Sequence, residues 1–224
     1  MKSLSFLLIK DVGVLSLVVL LFTLSAYGIF EPQLISAVED QTVITLSVTS
    51  EITISNPGNI SMSPSIPGLT GGSATGTATW TVITNDSSGF SVTHRASSTA
   101  MLGNTQGDQF DAYTPATAGV PDYTWSIAAS AAEFGYSVIS YSDGSSVATI
   151  FKDNGSACNT GAGVTFNRCF KDASTTAETI FNRTSETTAS GIGFTIDYKA
   201  ESGSSAFTVE DTYTATTTVT AVTN

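Results

Sequence analysis

Few side chains in this sequence are suited to catalysis. His94 is the single histidine of the 224 residues, so any Ser-His-Asp arrangement would need it as the base. It occupies an apolar-facing position in a two-residue alternation, and no G-x-S-x-G motif is present to expose a serine nucleophile. We therefore predict that the protein is not an enzyme and has no catalytic residues.

Acidic and amide side chains in loops offer hard oxygen ligands for calcium. They occur at Asn85-Asp86, at Asp108 with Asp111, and at Asp153-Asn154. None of these groups has EF-hand spacing, and Asp and Asn in turns commonly bond nearby backbone amides. A single histidine also excludes a multi-histidine zinc site. We predict no cofactor and no dedicated metal site, with calcium as the open alternative.

The two cysteines, Cys158 and Cys169, enclose the run NTGAGVTFNR. Their spacing is not the C-x-x-C of redox centres, and no further soft metal ligands accompany them. The sequence predicts a structural disulfide, which would stabilise a loop of this size by about 2–3 kcal/mol. Such a bond is typical of proteins outside the cytoplasm.

Aromatic side chains are the remaining candidates for ligand contact. Trp80 and Trp125 each alternate with apolar neighbours, which is the pattern of core residues. Tyr113, Tyr136 and Tyr141 are interpreted as loop residues, where a ring could stack on a sugar. These three tyrosines are the predicted ligand-contact residues.

The charge balance restricts the partners. Eight Lys+Arg against 19 Asp+Glu give a formal charge of −11, so little is available to neutralise nucleic-acid phosphates or an anionic membrane surface. Instead, 31 Ser and 35 Thr supply the polar surface, a composition common in extracellular proteins. We expect no nucleic acid partner.

The N-terminus has the order of a secretory signal. Lys2 and Lys10 precede a charge-free run over residues 12–30, VGVLSLVVLLFTLSAYGIF, which Pro32 soon follows. Cleavage after Ala37 is the main prediction, with cleavage near Gly28 as an alternative. An uncleaved membrane anchor also remains open, because the run nearly reaches the length of a transmembrane helix. Residues 1–37 are therefore assigned to a signal peptide or anchor helix, and residues 38–224 to one exported domain.

Two-residue alternation of apolar and polar side chains dominates the exported part, and no stretch keeps a helical period for three turns. The predicted strands cover residues 42–54, 77–84, 90–94, 123–129, 147–152, 194–200 and 212–222. The second and third of these are predicted to form a hairpin around the turn at residues 85–89. Short strands at this spacing predict an all-β fold, a β-sandwich of Ig-like or jelly-roll type with about seven to nine antiparallel strands.

Several runs resemble secreted proteins of uncharacterised function from uncultured bacteria with small genomes. They include TWTVITNDSSGFSV, FKDNGSACNTG and DTYTATTTVTAV. More distantly, the chain is similar to WxL-type and biofilm-fibre surface proteins, although it lacks the paired W-x-L motifs. The resemblance implies a secreted β-sandwich, and it transfers no functional residue.

Together these observations predict a non-catalytic, secreted structural or adhesive protein of the cell surface. A sharper version is self-assembly, in which the strand at residues 42–54 adds to the sheet of a neighbouring copy. The alternative is a carbohydrate-binding module that recognises a surface glycan. The expected partners are accordingly a second copy, or a surface glycan or protein, with membrane contact only through an uncleaved N-terminal segment.

Overall fold

The computed structural model describes residues 39–55, 57–105 and 107–224. The chain divides into two compact units, Met1–Ser47 and Val48–Asn224. Of the first unit only residues 39–47 are described, and they are exposed and form no strand. The predicted leader, residues 1–37, lies outside the described residues. Within the described ranges, no helix is long and apolar enough to cross a membrane.

The second unit is built from β-strands, so the predicted all-β class is confirmed. In chain order the strands are β1 (Ile52–Ile54), β2 (Gly72–Thr84), β3 (Phe90–Ala96), β4 (Met101–Gly103), β5 (Gln109–Ala112), β6 (Ala132–Ile139), β7 (Lys171–Asp172), β8 (Glu178–Arg183), β9 (Ile192–Ser202), β10 (Tyr213–Thr214) and β11 (Thr217–Thr223). The only helical elements among the described residues are two 3-10 turns, Gly144–Ser146 and Thr149–Phe151.

The strands form two sheets. An eight-stranded sheet has the order β1-β2-β9-β6-β5-β4-β10, with β7 paired to β6, and a three-stranded sheet has the order β11-β3-β8. All pairs are antiparallel except β5 with β6. The longest pair joins β2 to β9, from Gly72 opposite Ser202 to Val82 opposite Ile192. This pair is the backbone of the large sheet.

Aromatic side chains pack the two sheets against each other. Phe181 of β8 stacks on Phe194 of β9 with ring centroids 5.7 Å apart, and on Phe90 of β3 at the same distance. The alternation in the sequence identified the buried faces correctly: Val82 is 0% exposed and Val92 is 0% exposed. The core therefore lies between the sheets, on the faces that the apolar alternation marks.

The predicted hairpin of residues 77–84 and 90–94 is wrong. Strand β2 pairs with β1 and β9, whereas β3 pairs with β11 and β8, so the turn at residues 85–89 joins two different sheets. Alternation shows which side chains face the core, but it is the same for a hairpin and for a chain that crosses between sheets.

The predicted long strand at residues 42–54 is much shorter. Only Ile52–Ile54 is a strand, and Ile52 lies opposite Thr84, the last residue of β2. Because β2 ends there and the chain turns towards β3, residues 42–51 have no β2 backbone to pair with. Apolar alternation alone cannot supply the missing partner strand.

The four remaining strand predictions have mixed outcomes. Residues 194–200 lie within β9 as expected. Residues 123–129 form no strand, and 147–152 contain a 3-10 turn rather than a strand. Residues 212–222 divide between β10 and β11, which belong to different sheets, because the chain leaves one sheet at Ala215 and enters the other at Thr217.

Candidate functional site

Strand β11 forms one edge of the three-stranded sheet, and it pairs with β3 along all of its seven residues, TTVTAVT. Two backbone hydrogen bonds just beyond the ends of this pairing show which residues of β11 bond to β3. The Ser97 N–H donates to the Thr216 carbonyl at 2.8 Å, and the Asn224 N–H donates to the Gly89 carbonyl at 3.1 Å. In an antiparallel pair, bonded and non-bonded positions alternate. Even-numbered residues of β11 therefore bond to β3, and odd-numbered residues direct their backbone groups away from it.

The outer edge of β11 is unpaired. Its outward backbone groups belong to Thr217, Val219, Ala221 and Thr223, whose side chains are half-buried. Among the described residues, no backbone N–H or carbonyl bonds to these groups. Strand β1 of the same chain lies alongside, with Cα atoms of the two strands within 8 Å of each other, which is too close for a further strand to fit between them.

Parts of two other strands, β8 and β2, are covered by backbone hydrogen bonds from neighbouring loops. The Ala148 N–H donates to the Ile180 carbonyl at the outer edge of β8, at 2.9 Å. On β2, Ser63 and Thr75 exchange two backbone hydrogen bonds of 2.9 Å. Strand β11 carries no proline, lysine or other charged residue of the kind that blocks edge pairing. Its Thr, Val and Ala residues instead favour a strand.

A groove with a mixed polar and apolar lining runs beside this edge. Between β11 and the β1 end of the large sheet lies a cavity of about 480 Å³. Its apolar wall includes Met62, Trp80, Met101, Phe134 and Val219, and its polar wall includes Ser55, Asn59, Thr216, Thr217 and Thr218. Trp80 stacks on Phe194 with ring centroids 5.7 Å apart, and Phe134 stacks on Tyr198 at 6.1 Å. No charged side chain among the described residues lines the cavity.

A second cavity of about 870 Å³ adjoins the first. The two share the lining residues Ile60, Met62 and Met101. Two apolar side chains on its wall, Leu69 and Phe207, are each 74% exposed. Apolar surface therefore extends from the β11 groove along one side of the domain.

Residues 42–48, which we call the N-terminal segment, are the most exposed apolar part of the described chain. Ile44 is 91% exposed, Leu46 is 86% exposed and Val48 is 79% exposed. These three side chains alternate with Thr45 and Ser47 and so share one face of an extended chain. Exposed apolar side chains of this regularity usually mark an interaction surface.

The chain just after the N-terminal segment is held by the turn that follows β2. The Asn85 side-chain amide donates to the Thr49 carbonyl at 2.9 Å, and the Glu51 N–H donates to the Asn85 side-chain oxygen at 2.7 Å. The Ser50 hydroxyl donates to Asp86 at 2.7 Å. These bonds fix residues 49–51 beside the turn before the chain enters β1.

His94, the candidate base, lies in the core. It is 1% exposed, and its ring centroid lies 4.4 Å from that of Tyr136. Its Nε2 lies 3.4 Å from the Tyr198 hydroxyl, and its Nδ1 has no hydrogen-bond partner among the described residues. Burial, together with the positive charge of Lys171, lowers the pKa of His94 to about 4. A neutral imidazole enclosed by aromatic rings is a packing residue with no access to a substrate.

Lys171 and Glu178 form a half-buried ion pair near His94. The Lys171 Nζ donates to Glu178 at 2.8 Å and to Asp172 at 3.3 Å. Burial by itself lowers the pKa of Lys171, but the hydrogen bonds and negative charges of Glu178 and Asp172 outweigh it and raise the pKa overall. Lys171 is therefore a protonated partner in a structural network and not a neutral nucleophile.

The three predicted ligand-contact tyrosines do not form a common site in the structure. Tyr113 is 1% exposed, donates its hydroxyl to Asp122 at 2.7 Å and stacks on Trp125. Tyr136 is also 1% exposed and lies within β6, so the expectation that it is a loop residue is wrong. Tyr141 follows β6 and is 78% exposed. Only the Tyr141 ring is presented to solvent.

The predicted disulfide between Cys158 and Cys169 is confirmed, with Cα atoms 5.6 Å apart. Asp153 organises the same loop from the inside: it is 2% exposed and accepts the Thr165 N–H at 2.8 Å and the Gly155 N–H at 2.9 Å. The disulfide between Cys158 and Cys169 is consistent with a location outside the cytoplasm.

The calcium candidates are occupied by internal hydrogen bonds. Asp86 accepts the Ser88 N–H at 2.8 Å, and Asp108 accepts the Val209 N–H at 3.1 Å. In the part of the chain that the structure describes, no three His, Cys, Asp or Glu side chains lie close enough together to hold a metal ion. Asp86 therefore stabilises its own turn, whereas Asp108 joins its loop to the distant residue Val209.

Asp197 is a buried carboxylate that the sequence did not single out. It is 5% exposed, and neither carboxylate oxygen has a hydrogen bond of normal geometry within the described residues. Burial raises the pKa of Asp197 to about 6, although the nearby Asn167 N–H offsets part of this effect. Alternation in β9 places Asp197 opposite the core face, so its burial under a covering loop has no local signal.

Comparison with protein-family models, with curated proteins and with solved structures found no match to the chain. The interpretation therefore depends on the geometry alone. The place of β11 at the edge of the three-stranded sheet was not predicted by the sequence reasoning. The available signal was a terminal strand of Thr, Val and Ala without a charge or a proline.

Proposed function

We propose that the protein is a non-catalytic, secreted structural or adhesive component of the cell surface that acts through self-assembly. The observation that carries the proposal is the regular apolar face of the N-terminal segment, where Ile44, Leu46 and Val48 are exposed at every second residue. Exposed apolar side chains of this regularity usually mark an interaction surface. Their exposure is explained if this face is covered by another molecule in the functional state.

The frame that we propose for this role is a β-sandwich, supported by the aromatic contacts between the two sheets. Export is supported by the signal-like order of residues 1–37 and by the disulfide. The buried His94 and the paired Lys171 support a structural interpretation of the side chains best suited to chemistry.

The proposal is tested by expressing the full chain with its own leader and locating it by cell fractionation, followed by electron microscopy of the recovered protein. We expect the protein in the medium or on the cell surface, with Cys158 and Cys169 oxidised, as regular polymers or sheets. Retention in the cytoplasm with reduced cysteines would contradict the proposal.

One observation favours the second candidate, a carbohydrate-binding module. Tyr141 presents a ring that is 78% exposed, as stacking on a sugar requires. If the exported protein stays monomeric, a glycan array distinguishes the carbohydrate-binding hypothesis from the self-assembly hypothesis. The Tyr141→Ala variant is the control. Binding that depends on Tyr141 would replace the assembly proposal with this one.

A further inference from the structure

We propose that the groove between β1 and β11 binds a neutral sugar ring of a glycan, with Trp80 as the stacking surface and backbone groups of the groove walls as hydrogen-bond partners. The inference goes beyond self-assembly, because it gives the protein a ligand, and it does not depend on whether copies associate. It also places the sugar at a different site from Tyr141.

The first argument is the set of backbone groups that faces the groove. On β11, the outward backbone groups of Thr217 and Val219 bond to no other backbone group among the described residues, and both residues line the cavity. On the opposite wall, the Ser55 N–H donates to the Thr81 carbonyl at 2.9 Å, so Ile54, one residue earlier, directs its backbone groups away from β2. Both walls therefore offer backbone donors and acceptors to a ligand.

The second argument is the size of the space between the walls. Along β1 itself a further strand does not fit, because Cα atoms of β1 and β11 lie within 8 Å of each other. The chain leaves β1 after Ile54, and residues 57–60 form that side of the cavity. Its volume of about 480 Å³ falls within the range of roughly 300–1,000 Å³ that is usual for small-molecule sites. A compact ring can therefore reach backbone groups that a strand cannot.

The third argument is Trp80, which supplies an apolar surface inside a polar groove. Alternation marks Trp80 as a core residue, but it is only half-buried and it lines the cavity. It stacks on Phe194, its partner across β9, with ring planes 10° apart, and this contact fixes the indole before a ligand binds. A sugar ring presents C–H groups on its face and hydroxyls at its edge, so it matches an aromatic ring that is surrounded by hydrogen-bonding groups.

The polar side chains and the charge favour a neutral sugar. Asn59 is exposed, and its side-chain amide makes no hydrogen bond within the described residues, so two donors and an acceptor are available. The Ser55 hydroxyl oxygen accepts the Thr81 N–H at 2.8 Å and keeps its own O–H for another partner. No charged side chain among the described residues lines the cavity, and the net charge of −11 repels anionic glycans.

A glycan array printed with neutral and acidic oligosaccharides tests the inference on the unmodified full chain. We expect binding to neutral glycans, and Trp80→Leu should weaken it at least about tenfold, because aromatic side chains commonly dominate the binding energy of a site. Leucine keeps an apolar contact with Phe194 but has no ring for stacking. Tyr141→Ala is the matched control, because its exposed ring lies outside the groove, and it should bind like the unmodified protein.

Tryptophan fluorescence provides a second measurement that is independent of the assembly state. The chain has two tryptophans, and Trp125 is 9% exposed, stacks on Tyr113 and does not line the groove. Titration with the neutral oligosaccharide that binds most strongly on the array should change the emission of Trp125→Phe, which retains Trp80. The emission of Trp80→Leu, which retains Trp125, should stay constant.

Asn59→Ala keeps the inference testable if Trp80→Leu does not fold. Because Asn59 is exposed, its replacement should leave the fold intact, as circular dichroism would show. We expect the affinity for the same neutral oligosaccharide to fall about threefold to tenfold, which is the usual effect of losing one neutral hydrogen bond.

Four results would overturn the inference. They are the absence of any neutral glycan among those bound, binding to acidic glycans alone, binding that survives both Trp80→Leu and Asn59→Ala, and binding that is lost only in Tyr141→Ala. Thermal stabilisation by decanoate, but by no neutral oligosaccharide, would also overturn it, because the groove would then take an acyl chain. None of these results bears on self-association, which sedimentation velocity measures separately.

Discussion

At the scale of single residues, the buried ionisable side chains give this fold an unusual response to pH. Because the pKa of His94 falls from 6.5 to about 4 on folding, the unfolded chain takes up a proton in this range while the folded chain does not. His94 therefore contributes stability that is complete above pH 6.5 and is lost as the pH falls towards 4. The loss amounts to about 3 kcal/mol at most.

The variant His94→Phe tests this role. It retains an aromatic ring against Tyr136 but cannot take up a proton, so its free energy of unfolding should lack the decrease between pH 6.5 and 4. Urea unfolding monitored by circular dichroism at several pH values measures the difference. An equal slope in both proteins would show that His94 is protonated in the folded state.

The effect of Asp197 on the pH dependence of stability has the opposite sign to that of His94. Its pKa rises from 3.8 to about 6 on folding, so the folded chain holds the proton more strongly and stability falls as the pH rises through this range. We expect Asp197→Asn to raise the free energy of unfolding by about 2 kcal/mol at pH 7, with the gain disappearing below about pH 4. The exposed Asp111→Asn is the control. A loss of stability at pH 7 would mean that Asp197 has a favourable partner.

At the scale of elements, alternation in the sequence predicted the faces of strands better than their partners. It placed Val82, Phe90 and Val92 in the core, where each is 0% exposed. It could not show that the turn after β2 leads into another sheet, because an apolar face looks the same in either connection. The disulfide was predictable, since two cysteines in a chain with a signal-like N-terminus have one pairing.

Longer-range features had no local signal. Asp197 is buried by chain that lies far from it in the sequence, and residues 147–152 turn although their side chains suit a strand. The N-terminal segment has the alternation of a strand, but no strand is formed there among the described residues. A sequence pattern records what a segment is suited to pair with, not whether a partner is present.

The N-terminal segment is therefore expected to contribute little to folding. Deleting residues 42–48 should change the free energy of unfolding by less than about 0.5 kcal/mol, because exposed side chains seldom affect stability more. The comparison is Ile52→Ala, which removes a side chain packed against the core and should cost about 1 kcal/mol or more. Denaturant titration of monomeric samples measures both. A large loss on deletion would place the segment within its own fold.

At the scale of the whole molecule, the acidic surface opposes contact between copies. The formal net charge of −11 repels separate copies at low salt, whereas salt screens this long-range repulsion without weakening apolar contacts. We therefore expect self-association to strengthen as the salt concentration rises, as measured by sedimentation velocity.

The central claim is that the protein acts by self-assembly, and sedimentation velocity of residues 38–224 over a range of concentrations tests it most directly. We predict species larger than a monomer at micromolar concentrations, with a share that rises with concentration. A monomer at every concentration would contradict the account.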